Sequence, residues 1–288
     1  MGRFGSAKTL VNRILEPLNI HVDSRSAERA EAGRLGKLVE SGHFSRPVFP
    51  VLVQFKKCDP TPVLAAVKHY EPQLARFSAE DVQTQYSFAN DYYGSPDAEV
   101  LYAMVRLHEP RRIIEVGSGN STLLFRHAIC DTGLKTKLIS IDPFPRREIV
   151  RYADELISER VEASGARALF SRLEANDFLF VDSSHEIKPG NDVLHLFLNV
   201  FPSLAPGVLV HVHDIFLPFE YPQNWIVEHH WNWTEQYLLQ ALLQGSREFE
   251  VLWAGYYHQR SLPQFTENFK FWTGSAARSV WLRRIVGS

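Results

Sequence analysis

The sequence predicts an α/β fold with a mostly parallel sheet covered by helices on both faces. Three observations carry this. From about residue 96, short apolar runs alternate with segments of helical period, the pattern that right-handed crossovers between parallel strands produce. A glycine-rich turn, "GSGNST" at residues 117–122, directly follows the first of those runs. Every clear strand before residue 215 ends in an acid or a histidine, and such sheets bind ligands at the carboxyl ends of their strands.

The elements follow in order. "SPDAEVLYAMVRLHEP" reads as a helix, with Ser95 as its cap, Val100, Met104, Val105 and Leu107 on one face, and Pro110 ending it. "RRIIEV" is a strand and "STLLFRHAIC" a helix; "KLISID" is the second strand and "REIVRYADELI" reads as the next helix. A weaker strand is expected at "ERVEA" and a helix at "ARALFSRLEA". "DFLFVD" is the clearest buried strand, followed by a helix at "DVLHLFLNVFPSL". "GVLVHVHD", "TEQYLLQALLQG" and "FEVLWAGYY" give a strand, a helix and a strand, and "SVWLRRI" is the last apolar piece.

Residues 1–90 read differently, as a helical and irregular N-terminal extension to a main domain at 91–288. Leu10, Ile14, Leu15 and Leu18 recur at helical spacing, and "SRSAERAEAGRLGKLVES" is a charged, helix-like stretch. An amphipathic first helix can lie on a membrane or a partner; packing against the protein's own body is the expectation taken here. "RPVFPVLVQF" and "DPTPVL" carry prolines and are expected to be extended or turning.

Composition excludes several classes. The 288 residues are 45% hydrophobic and 22% charged with a formal net charge of -2, so no overall field draws the chain to nucleic acid. Two cysteines, Cys58 and Cys130, argue against a disulfide framework and for a reducing compartment. No apolar run is long enough to cross a bilayer, and "MGRFGSAKTLVNRILEPLNIHVD" lacks the core of a secretory signal. The expected location is cytoplasmic, and the sequence leaves homo-oligomerisation open.

Gly117 and Gly119 sit where a backbone must bend with positive φ or approach a ligand closely. A dinucleotide-binding turn has a third glycine where this chain has Thr122. Glu115, two residues before the first glycine, suits a cationic ligand better than a phosphate. Asp182 and His185 in "VDSSH", and His213 with Asp214 in "HVHD", lie at the ends of two further strands. Asp182, His213 and Asp214 can converge as ligands of one divalent ion, with magnesium put in doubt by the imidazole. Asp214 as a turn cap and His213 as a core residue are the alternatives.

"EVGSGNST" resembles the first motif of class I S-adenosylmethionine-dependent methyltransferases, and "ISIDP" their second. "FLFVDSSHEIKPGNDV" and "LAPGVLVHVHDIFLPFEYP" are similar to a bacterial group within that class, and the resemblance spans roughly residues 85–288. It implies a Rossmann-like sheet of seven strands whose last, at "SVWLRRI", runs antiparallel. It also implies a cofactor site of Glu115, Gly117, Ser118, Gly119, Asp142, Pro143, Phe144, Glu162 and Asp182, with Asp142 on the ribose hydroxyls and Glu115 near the methionine amine. Metal-dependent sugar O-methyltransferases share the spacing of Asp182 and His185, which implies catalysis by these two with the histidine as base; His213 departs from their usual acid. The implied acceptor is a small molecule or a glycan precursor, and the bound metal, if one is used, is magnesium or another divalent ion. Two alternatives stay open: a nicotinamide-dependent Rossmann oxidoreductase and a non-catalytic cofactor-binding protein. "IFLPFEYPQNWIVEHHWNWTEQYLL" is rich in aromatic rings and reads either as a lid or substrate wall or as packing against the N-terminal extension, with His229 and His230 on the surface.

Overall fold

Seven strands form one sheet in the computed structural model, which describes residues 4–19, 25–78, 85–145, 151–163 and 165–285. They are β1 (Arg112–Val116), β2 (Lys137–Ile141), β3 (Glu155–Ile157), β4 (Phe178–Val181), β5 (Leu209–Val212), β6 (Phe249–Ala254) and β7 (Val280–Arg284). Their spatial order is β3-β2-β1-β4-β5-β7-β6, all parallel except β7, which is antiparallel to both its neighbours. The chain builds outward from β1 in one direction and then restarts at β4 in the other, so the switch point lies between β1 and β4.

Alternate residues of each strand feed two cores. Ile114, Leu179, Val181, Val210 and Val212 belong to one. Ile113, Phe178, Phe180 and Leu209 belong to the other. Burial on both faces explains why the strands read as unbroken apolar runs.

The helices are α1 (Phe4–Leu15), α2 (Ser26–Glu40), α3 (Val53–Lys57), α4 (Thr61–His69), α5 (Glu71–Leu74), α6 (Asp97–His108) and α7 (Asn120–Thr132). Later in the chain come α8 (Arg167–Phe170), α9 (Asp192–His195), α10 (Gln223–Val227), α11 (Glu235–Gly245) and α12 (Gly255–Ser261). α6 and α7 pack together on the second core, while α11 delivers Leu239 and Leu243 to the first. No helix among the described residues is long and apolar enough to cross a membrane.

Several local expectations are corrected. The proline-marked segments before residue 70 hold the helices α3 and α4. Pro62 falls in the first turn of α4, where a missing N–H costs nothing, and Asp59 accepts a hydrogen bond from the Thr61 N–H at 3.0 Å. The strand after β2 is Glu155–Ile157, inside the segment read as a helix, whereas "ERVEA" forms turns; residues 147–150 of that segment lie outside the described residues. After α9 the chain continues as a π-turn and then a 3-10 turn containing Pro202.

The N-terminal segment divides sharply. Phe55 enters the first core, and Val63, Val67, Leu74 and Phe77 enter the second. Leu10, Ile14 and Leu18, by contrast, are 61%, 66% and 67% exposed. Among the described residues, the expected packing of this first helix on the protein's own body is not found at these three positions. The next helix in the chain, α2, consists mostly of charged residues and alanine or glycine and buries only Leu35.

Candidate active site

The site forms at the switch point. β1 ends at Val116 and turns at Gly117, whose φ is +83°. A Cβ on Gly117 would lie 1.8 Å from the Asp182 carbonyl oxygen at the end of β4, so only glycine lets the two strand ends pass this closely. Gly119 differs: its φ is 161°, and a Cβ added there would meet nothing within 4 Å. It begins α7, with its N–H donating to Thr122 Oγ1 at 3.0 Å. Thr122, where a dinucleotide turn has glycine, is thus the residue that caps the helix.

Beneath this turn Glu115 is fully buried. Ser121 and Thr122 donate to it at 2.6 Å and Ser140 at 2.7 Å. Burial pushes its carboxyl up to about 7, against the three hydroxyls. These bonds tie the turn to β2. Glu115 and Gly119 do not line the cavity that opens above; Gly117, Ser118, Asp142, Pro143, Phe144, Glu162 and Asp182 do.

That cavity measures about 750 Å³, within the usual range for small-molecule and cofactor sites. Asp142, just past the end of β2, accepts hydrogen bonds on Oδ2 from the Ser118 N–H at 2.9 Å and the Ser118 hydroxyl at 2.7 Å. Its Oδ1 accepts from the Phe144 N–H at 2.8 Å. Phe144 itself is 79% exposed and presents an apolar ring to the cavity.

Asp182 and His213 follow the paired ends of β4 and β5, Val181 and Val212. His211 is a core residue, its ring stacked 3.8 Å from that of Phe180. His213 leans on Tyr93, ring to ring 4.8 Å, and lines the cavity. Asp214, at φ +55°, turns away from the strand. The three donors that converge are Asp182, His185 and Asp214, whose ligand atoms lie within 4.8 Å of one another. His213 is not in that group, although it lines the same cavity and its Nε2 lies 3.9 Å from Asp214.

His185 is held from both sides. Its Nδ1 lies 2.9 Å from Glu235 Oε2, and its Nε2 lies 3.2 Å from Asp182 and 3.6 Å from Asp214. Burial alone lowers the basicity of this imidazole, but the bonds to Asp182 and Glu235 outweigh it and hold its pKa well above the ordinary value. For Asp182 burial opposes ionisation, and the nearby His213 and His185 reverse that and keep it below the usual carboxylate range.

Two polar members of the site carry no sequence signal. Glu235 opens α11 and is indistinguishable in sequence from an acid complementing a helix N-terminus. Arg278, just before β7, reaches Asp214 at 2.9 Å. Buried Asp97 fixes that segment by accepting from the backbone N–H groups of Arg278 and Ser279 at 2.8 and 3.0 Å. The aromatic segment does form a wall: Trp231 stacks on Trp233 at 4.7 Å, Trp225 meets Trp233 edge-on, and Trp233 lies 4.3 Å from the His185 ring. His229 and His230 are exposed.

The seven-stranded sheet with one antiparallel strand, and the glycine turn facing an acid at the end of β2, match the fold that the resemblance to class I S-adenosylmethionine-dependent methyltransferases implies. Residues 114–215 match the family model described as a methyltransferase domain. The match runs from β1 to just past β5 and includes Gly117, Asp142, Asp182, His185, His213 and Asp214. It selects this reading over the nicotinamide oxidoreductase.

Among solved structures the chain is similar to the SAH-bound methyltransferase PaMTH1 of Podospora anserina, at 17% identity over 93% of this chain and 100% of that one, TM-score 0.43. It is also similar to the plantazolicin methyltransferase BpumL in complex with SAH, at 9% identity over 78% of this chain and 99% of that one, TM-score 0.42. No curated protein matches the chain.

Proposed function

We propose that the protein transfers the methyl group of S-adenosylmethionine to a hydroxyl of a small-molecule or glycan acceptor, with His185 as the base. The observation that carries this is the bracketing of His185, with Glu235 on one ring nitrogen and the Asp182 side of the cavity on the other.

The cofactor's ribose hydroxyls are assigned to Asp142, whose two carboxylate oxygens can accept both hydrogens. Ser118 and Phe144, which occupy that carboxylate here, are the groups a bound ribose would compete with. Pro143 and Phe144 are assigned to the adenine, Gly117 and Ser118 to the methionine side, and Glu162 to the rim near the nucleoside. Glu115 acts indirectly, by holding the turn in place.

In the transfer itself the acceptor oxygen attacks the methyl carbon, the carbon–sulfur bond breaks, and the cofactor leaves as a neutral thioether. His185 takes the hydroxyl proton when its ring is neutral; because Asp182 and Glu235 hold its pKa up, turnover in this reading rises with pH. Glu235 fixes the ring orientation through Nδ1, and the carboxylates around the ring stabilise the imidazolium that forms, as the acid of a catalytic triad does. The tryptophan wall excludes water and offers flat apolar faces to a ring-shaped acceptor.

Residues 91–288 form the transfer unit in this reading, with residues 1–90 as its N-terminal extension.

The convergence of Asp182, His185 and Asp214 favours a second reading, in which these three hold a divalent ion and Glu235 supports the imidazole from behind. Nitrogen with two carboxylates is a donor set that suits manganese, iron or zinc better than magnesium. Such an ion would lower the pKa of an acceptor hydroxyl.

Labelled S-adenosylmethionine, incubated with a panel of sugars, nucleotide sugars and catechols, tests both readings. Expected is an alkali-stable methyl ether, with turnover reduced at least ~100-fold in His185→Ala while cofactor affinity stays within about threefold. Full activity in excess chelator selects the base reading, and loss of activity the metal reading. Preserved turnover in both His185→Ala and Asp182→Ala, or an alkali-labile ester as product, overturns the proposal.

A further inference from the structure

We propose that α1 is a docking helix that seats the protein on an anionic lipid surface. The helix is amphipathic: Leu10, Val11, Ile14 and Leu15, continued by Leu18 in the turn that follows, recur at the spacing that aligns them on one side. Leu10, Val11, Ile14 and Leu18 are exposed, so this apolar stripe is not absorbed by the described body of the protein. Exposing several large aliphatic side chains in one row is unfavourable in water, and a stripe of this kind signals a surface it is built to meet.

Charge selects the surface. Residues 1–18, which carry the stripe, contain three basic residues, Arg3, Lys8 and Arg13, and one acid, Glu16, whereas the chain as a whole is slightly acidic, at -2. Arg13, in the last turn of α1, is exposed with the apolar stripe. An apolar stripe beside basic residues, on a helix too short and too polar to span a bilayer, is the make-up of helices that lie in the interface of anionic membranes. A protein groove would match the apolar stripe equally well but gives no reason for the local excess of basic residues.

The next helix in the chain, α2, packs against α10, which carries Trp225 of the cavity wall. Leu10, Val11, Arg13, Ile14 and Leu18 are not among the residues lining that cavity, so the proposal stands or falls apart from the catalytic reading.

Co-sedimentation of the full chain with phosphatidylcholine vesicles, with and without about one-third phosphatidylglycerol, tests it. The wild type is expected to sediment with the anionic vesicles at least tenfold more than with the neutral ones, and less as salt rises. The double variant Leu10→Asp/Ile14→Asp is expected to stay in solution while melting at the wild-type temperature and binding S-adenosylmethionine normally; Arg13→Glu is expected to reduce sedimentation several-fold. No sedimentation of the wild type with anionic vesicles overturns the proposal, as does equal sedimentation of the double variant. A wild-type dimer in lipid-free solution that Leu10→Asp/Ile14→Asp converts to a monomer also overturns it, because the stripe is then a protein interface.

Discussion

Gly117 is the residue on which the site's geometry turns. It needs positive φ, and it also lies so close to the Asp182 carbonyl that a methyl group there would overlap it. Gly117→Ala is therefore expected to cost about 2–4 kcal/mol, because either β1 or β4 must move. Gly119→Ala meets no atom within 4 Å and is expected to cost less; urea denaturation of the two variants compares them directly. Sequence spacing picks out both glycines but cannot rank them, since the partner atom belongs to a residue 65 positions away in the chain. Asp142, Asp182 and His185 are legible because each follows a strand end, and strand ends of a parallel sheet converge whatever the loop details. Glu235 and Arg278 are not, because they come from a helix start and a loop whose positions depend on the tertiary fold. The donor group that converges differs from the one expected for a related reason. Strand alternation places His213 correctly beside His211 but not the loop that folds His185 back over Asp182 and Asp214.

At the scale of elements, the strongly periodic strands and the long helices α6, α7 and α11 are readable, and the short pieces are not. β3 has only three residues at a sheet edge, too few for a period to show. α3 and α4 are hidden by prolines whose first-turn position makes them compatible with a helix. Their role is packing: α3 lies against β6, and Phe55 is buried in the first core beside Tyr257. Phe55→Ala is expected to destabilise the protein by about 3–5 kcal/mol, measured by chemical denaturation. A cost below about 1 kcal/mol would mean that this element does not belong to the folded unit.

For the whole molecule, two buried acids set a pH dependence of stability. Burial raises Glu99 from an ordinary 4.5 to about 7, against a hydrogen bond donated by Ser95, and raises Glu115 likewise. Between those values the folded chain holds protons that the unfolded chain has released, so stability falls as pH rises through this window. A shift of that size corresponds to a contribution on the order of 3 kcal/mol per group. Glu99 lies outside the cavity lining, which makes Glu99→Gln the cleaner probe. Its stability should decline less than that of the wild type between pH 5 and pH 8, and parallel declines would show that Glu99 titrates alike in both states. The same sheet that buries these acids also fixes the cavity, since β1, β2 and β4 contribute Gly117, Asp142 and Asp182 from three adjacent strand ends. Calorimetric titration with S-adenosylmethionine, for the wild type and Asp142→Ala, tests that arrangement most directly. The wild type should bind, and the variant should bind at least ~10-fold more weakly, a loss of about 1.4 kcal/mol or more. Equal affinity in the two proteins, or a wild type that binds NAD and not S-adenosylmethionine, would contradict it.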